Sequence, residues 1–179
     1  MKKHIFILII LVFISGCLPP NCVPYRPLPG LEKQLYNVAK RKVTPNNVRK
    51  LPDKYIKTLV VWTGIIKNID SNKEQGTEFF QITVEHHYFD WIENRGAQKE
   101  MFFLSPRGEG TFIAAWSAGN AQEYEFIRHF TVGDMIIAYG RPCMTEDDIL
   151  VLNPTVNIRP VKPQWFSTEI PDYGASITK

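Results

Sequence analysis

A small, partly open β-barrel of the OB type, mainly β, with about five to six strands and one short helix, is the fold this sequence predicts. Three observations predict it. Tyr55 to Ile69 is a long run rich in β-branched and aromatic residues, broken once by Gly64, and a glycine inside such a run marks a bend, bulge or barrel corner. Thr77 to Tyr88 alternates, with Phe80, Ile82 and Val84 on one face and Gln81, Thr83 and Glu85 on the other, the pattern of an antiparallel strand with one wet face. Asn120 to Phe130 reads as a helix between the third and fourth strand units, which a small barrel of this type accommodates and a plain sandwich does not need.

In chain order, Met1 to Cys17 comes first. Lys2 and Lys3 precede an unbroken apolar run from Ile5 to Ile14, followed by Ser15, Gly16 and Cys17. A charged start, a short apolar core and a small-residue exit describe a secretory signal peptide, and the run is about half of the ~20 residues a spanning helix needs. Ile14-Ser15-Gly16-Cys17 resembles the lipobox of bacterial lipoproteins. That resemblance implies cleavage before Cys17, a diacylglycerol on its sulfur and acylation, such as palmitate, on its amine. Leu18 follows the cysteine, in place of the aspartate that retains many lipoproteins at the inner membrane, so the same resemblance implies outer-membrane sorting.

Residues 17–54 are expected to be the lipidated cysteine and a proline-rich linker. Seven of the 13 prolines fall there (Pro19, Pro20, Pro24, Pro27, Pro29, Pro45 and Pro52), and proline fixes φ and removes a donor. A short helix is allowed between Gly30 and Lys42, with Leu31, Leu35 and Val38 on one face. Lys40, Arg41 and Lys42 would then sit at its end, either as a solvated basic cluster or against anionic head groups.

The body is expected over 55–166, with a C-terminal tail at 167–179. Asp70 to Gly76 is a polar turn and Asp90 to Lys99 a loop. Met101 to Leu104 and Thr111 to Trp116 read as short strands joined by a glycine-containing, hairpin-like turn. Asn120 can cap the helix, with Glu123 as the return arm of a capping box. Met135 to Tyr139 and Ile149 to Ile158 are the last strands, and Pro154 places the far half of the latter at an edge or bulge. Phe80, Ile82, Val84, Ile113 and Ile137 are the expected core.

Composition narrows the function classes. The chain has 179 residues with 44% hydrophobic and 12% aromatic content, values of a folded single domain. Of the net charge of +3, two charges belong to Lys2 and Lys3, so the body is close to neutral and nucleic acid is not an expected partner. Three cysteines are present. With Cys17 carrying lipid, Cys22 and Cys143 form a candidate disulfide or stand as two independent thiols, in a compartment that permits either.

Pro52-x-x-Tyr55 followed by Val61-Trp62-Thr63-Gly64-Ile65-Ile66, then Gly110 to Ala115, the Gly133 to Gly140 spacing and the closing Trp165, resembles the Slp family of starvation-inducible outer-membrane lipoproteins. The similarity spans Leu51 to Trp165, with Thr63 standing where that family has glycine. It implies an envelope protein with an OB-like barrel and carries no catalytic residues to transfer.

Reactive constellations are sparse. His86 and His87 are adjacent on a strand, so they point to opposite faces and cannot share one ion. Glu85 and His87 share a face but make only two ligands, so neither a metal nor another cofactor is expected. Ser105 and Ser117 lack a nucleophile signature, and Glu146-Asp147-Asp148 reads as a solvated hairpin tip. The expectation is therefore a non-enzymatic structural or interaction module, held to the outer membrane through Cys17 and contacting envelope proteins, within a secretion apparatus or another envelope assembly. The alternative is a binding module for a small envelope ligand, lipid or glycan. Tyr88, Phe89, Trp91 and Ile92, bulky residues running into a polar loop, are the candidate interface.

Overall fold

The computed structural model describes residues 22–74, 76–88, 92–94 and 102–169. The order is β1 (Cys22–Pro24), α1 (Leu31–Val38), α2 (Pro45–Lys50), α3 (Pro52–Tyr55), β2 (Val60–Glu74), β3 (Thr77–His87), β4 (Ile92–Asn94) and β5 (Phe102–Phe103). It continues with β6 (Thr111–Ala118), α4 (Ala121–Arg128), β7 (Met135–Met144), β8 (Leu150–Val161), a 3-10 turn (Pro163–Trp165) and β9 (Phe166–Ser167).

Five strands make a ring in the order β2-β3-β6-β8-β7, with α4 between β6 and β7 along the chain. The OB-like expectation is met. The ring closes narrowly: β6 and β8 run parallel and share only the pairs Ile113↔Val151 and Ala114↔Leu152. Beyond Leu152, β8 is irregular against β7 around Gly140, and Pro154 lies in that stretch, as its inability to donate a ladder bond requires.

Gly64 is needed for a reason the sequence indicated only as a bend. A Cβ there would lie 2.1 Å from the Glu85 carbonyl oxygen, where β2 and β3 cross closely just before the register shift between Ile66 and Asn68. Thr63, beside it, is fully buried and donates its hydroxyl to the His87 carbonyl at 2.7 Å.

The barrel core holds Trp62, Ile66, Phe80, Ile82, Val84, Phe112, Ala114, Ile136, Ala138, Leu152 and Ile158. Two of the expected core residues are placed otherwise. Ile113 is only half-buried, because β6 turns Phe112 and Ala114 inward, one step out of the expected register. Ile137 belongs to a second apolar cluster on the outer side of the barrel wall, with Val61, Met135, Tyr139, Phe102, Leu104 and Tyr25. β7 is thus buried on both faces, which is why its run Met-Ile-Ile-Ala-Tyr shows no alternation.

That outer cluster corrects the linker expectation. From Tyr25 onward the proline-rich segment is part of the packed body; α1 falls where a short helix was allowed, and α2 and α3 were not expected. α1 buries Glu32 and half-buries Leu35 and Tyr36, while Leu31 and Val38 remain 57% and 64% exposed, so it packs through a face that shares Leu35 with the expected one but is turned about a quarter of the way round the helix. Val48 of α2 is fully buried in the barrel core, and Arg49 donates to the carbonyls of Glu109 (2.7 Å) and Thr111 (2.6 Å) where β6 begins. Trp62 Nε1 donates to the Val43 carbonyl at 2.8 Å. Ile127 and Phe130 close the barrel beside the end of β6. The Asn120 side chain caps α4 by accepting from the Glu123 N–H at 3.0 Å, and the Glu123 carboxylate returns to the Gly119 N–H at 2.8 Å.

The expected hairpin between Met101–Leu104 and Thr111–Trp116 does not form. β5 instead joins a separate small sheet, β1-β4-β5-β9, pairing antiparallel with β4 and parallel with β9.

Candidate functional site

An open groove lies on the outward face of β2, β3 and β6, at the hairpin end of the barrel. Register fixes its floor: Asp70 opposes Gln81, which opposes Ala115, and Asn72 opposes Phe79, which opposes Ser117. Directly opposed residues share a face, so these six side chains stand together. Ala115 and Ser117 are small, and they leave Phe79 standing 42% exposed beside a shelf. Glu74 extends the groove along the hairpin, and Asn153 and Pro154 wall its far side, where β8 leaves β6. The cavity measures about 550 Å³, within the range of small-ligand sites. Among the described residues its lining carries two carboxylates and neither lysine nor arginine. Trp116 borders it as well, but its register partner is the core residue Phe80, so its side chain turns to the opposite face and packs on Phe126.

A second polar cluster sits at the opposite end of β3. His86 Nδ1 accepts the Glu109 N–H at 3.1 Å, and burial holds the His86 imidazole down at about 4, so the ring is neutral at physiological pH. Burial pushes the Glu109 carboxyl up, but bonds from the Asn46 N–H (2.7 Å), Thr44 and the Tyr88 hydroxyl (2.9 Å) hold it below its ordinary range. His87 Nδ1 donates to the Ser105 carbonyl at 2.8 Å, since a carbonyl can only accept, and its buried Nε2 has no partner. The loop over this cluster fits because of Gly108, where a Cβ would fall 1.6 Å from the His86 carbonyl oxygen. Glu85 pairs with Lys67 at 2.6 Å, which lowers its pKa, and shares a 270 Å³ recess with His87. Among the described residues, no group of three or more acidic, histidine or cysteine side chains is placed to hold a metal ion.

A third cluster joins α1 to the barrel. Arg159 donates to the Tyr25 hydroxyl at 2.7 Å, and Tyr25 in turn donates to Glu32. Glu32 also accepts from the Tyr139 hydroxyl at 3.1 Å and the Leu28 N–H at 2.8 Å, with Arg159 at 3.6 Å. Burial, followed by the bond to Glu32, pushes the Tyr25 phenol far above its ordinary value. Burial and the Glu32 charge do the same to Tyr139. Both phenols therefore stay protonated and serve as donors. The Arg159 guanidinium also lies over the rings of Tyr25 (5.5 Å) and Phe102 (5.2 Å).

The residues singled out from sequence scatter. Cys17, Phe89 and Trp91 lie outside the described residues. Cys22 and Ile92 are placed by backbone only, in β1 and β4, where Ile92 pairs with both Pro24 and Phe103. Cys143 is a free, half-buried thiol whose pKa burial raises. Tyr88 is half-buried, its ring edge-on to His86 and its hydroxyl committed to Glu109, so it braces the Gly108 loop. Glu146, Asp147 and Asp148 form an exposed turn as expected, with Asp148 at φ 59°. The groove at Phe79 escaped notice because its acids and amides read as an ordinary hairpin tip. Only the β3 alternation, which turns Phe79 outward with Gln81, signals it.

No protein-family model matches the chain, and no curated protein matches it.

Proposed function

We propose that this chain is an outer-membrane-anchored lipoprotein of the bacterial envelope that works by contact, as a non-enzymatic interaction module. Its anchor is the lipid on Cys17, and the resemblance of 51–165 to the Slp family agrees with that address. The observation that carries the reading is the short distance from anchor to body. The described residues begin at β1, and five residue steps from Cys17 to Cys22 span at most about 18 Å when fully extended. A barrel tied so close, and stapled to its own N-terminal segment through Glu32, keeps a limited range of orientations at the bilayer. Lys40, Arg41 and Lys42 are exposed on that same segment. Such a tether suits a domain that presents one surface to a neighbouring envelope component. Among the described residues no helix is long and apolar enough to cross a membrane.

Affinity purification of the tagged, lipidated chain from detergent-solubilised outer membranes tests the reading. A stoichiometric protein partner, or a retained envelope ligand, is expected. Chemical conversion of a co-purified small molecule by the isolated chain would overturn it.

A further inference from the structure

We propose that the groove beside Phe79 is a binding site for a short neutral oligosaccharide. The inference rests on the reading of this domain as a contact module and adds the class of molecule it contacts.

The lining argues for this class on two grounds. Phe79 is 42% exposed, and its neighbours on β6 are the small residues Ala115 and Ser117. A flat aromatic face on an open shelf suits the C–H face of a pyranose, whose partly positive hydrogens meet the negative face of the ring. The polar groups around it are acceptors and amides: Asp70 and Glu74 accept from hydroxyls, and Gln81 and Asn153 both donate and accept. This is the mixture that ring hydroxyls, each donor and acceptor at once, can satisfy.

Charge removes the competitors. With two carboxylates and, among the described residues, no cation in the lining, the groove repels phosphates, uronates and nucleic acid. The cavity of about 550 Å³ is roomier than a single sugar needs and fits about two or three rings. It stays open because β6 and β8 separate after two residue pairs, so the bulge at Asn153 and Pro154 forms a wall and not a lid.

The test uses the full lipidated chain purified in an amine-oxide detergent, since glucoside and maltoside head groups would compete. Isothermal titration calorimetry is run with tri-N-acetylchitotriose and cellotriose as neutral probes, and with trigalacturonate and trilysine as charged ones. Saturable binding of at least one neutral trisaccharide is expected, with trigalacturonate at least tenfold weaker. Phe79→Ala should weaken the neutral probe about tenfold, with a thermal midpoint near that of the parent. Asp70→Ala, on an exposed position, should weaken it too and serves if Phe79→Ala disturbs folding. Absence of binding by both neutral probes, binding indifferent to Phe79→Ala and Asp70→Ala, or preference for trigalacturonate or trilysine overturns the proposal. None of those results touches the partner recovery that tests the contact reading itself.

Discussion

Replacing Glu32 with alanine should loosen the N-terminal segment from the barrel without unfolding the barrel. Glu32 is 4% exposed and accepts from two phenols and a backbone N–H while facing Arg159. Its removal leaves the fully buried Tyr139 hydroxyl and the Leu28 N–H without an acceptor, and Arg159 without its counter-charge. Each orphaned neutral group costs about 1–3 kcal/mol, and breaking a buried charged pair from one side about 3–5 kcal/mol in total. These overlap, so a loss of about 4 kcal/mol is the expectation. For a chain of this length that lowers the thermal midpoint by about 8–16 °C. Glu32→Gln should lose less, because one amide oxygen still accepts from both tyrosines while its NH2 faces the Leu28 N–H. Urea unfolding followed by circular dichroism gives the magnitude, and limited proteolysis should cut first within 25–59. A loss below about 1 kcal/mol for Glu32→Ala, with proteolysis unchanged, would refute the staple.

Three further outcomes follow from the same coordinates. His86 is neutral when folded, with its pKa depressed to about 4 against an unfolded value of 6.5, so the unfolded chain binds more protons between those values. Stability should therefore be complete above pH 6.5 and fall by up to about 3 kcal/mol as pH drops toward 4. His86→Asn, whose side-chain oxygen can still accept the Glu109 N–H, should flatten that slope in urea titrations, and an unaltered slope would remove His86 as its cause. Ile82→Asp should abolish cooperative unfolding, since Ile82 is fully buried in the barrel core, whereas Thr83→Asp on the opposite face should be tolerated; equal tolerance would contradict the β3 register. Gly108→Ala places a methyl inside the His86 carbonyl contact, so the loop must lift, at a cost of about 1–3 kcal/mol with loss of the His86–Glu109 bond. A crystal structure of that variant with the loop unmoved would contradict the packing described.

The ring was legible in the sequence because its signals are local. β3 alternates, Gly64 interrupts a branched run, and Asn120 with Glu123 caps α4, so each feature is settled within a few residues of itself. The N-terminal segment was not legible, because prolines that stiffen a spacer equally well stiffen a packed strap. What decides between the two is the distant partners of Tyr25, Glu32 and Val48, which no local pattern names. Glu32 misled most directly: a carboxylate among leucines reads as the wet face, until Tyr25, Tyr139 and Arg159 arrive from elsewhere in the fold. The register of β6 and the two-sided burial of β7 were missed for a related reason, since a short apolar run shows no period from which to choose a face. Of the candidate interface residues, Tyr88 gives its hydroxyl to Glu109, while Phe79, on the cleanly alternating strand, is exposed.

Fractionation of Cys17→Ser beside the parent chain, with the mass of the mature N-terminal peptide determined in each, tests the central claim of a lipid-anchored contact module most directly. The parent should sediment with the outer membrane and begin at a Cys17 carrying diacylglycerol and an acyl chain, and Cys17→Ser should leave the membrane fraction and lose its envelope partners. A Cys17→Ser chain that remains in the outer membrane with its partners, or a parent whose Cys17 carries no lipid, would contradict the account.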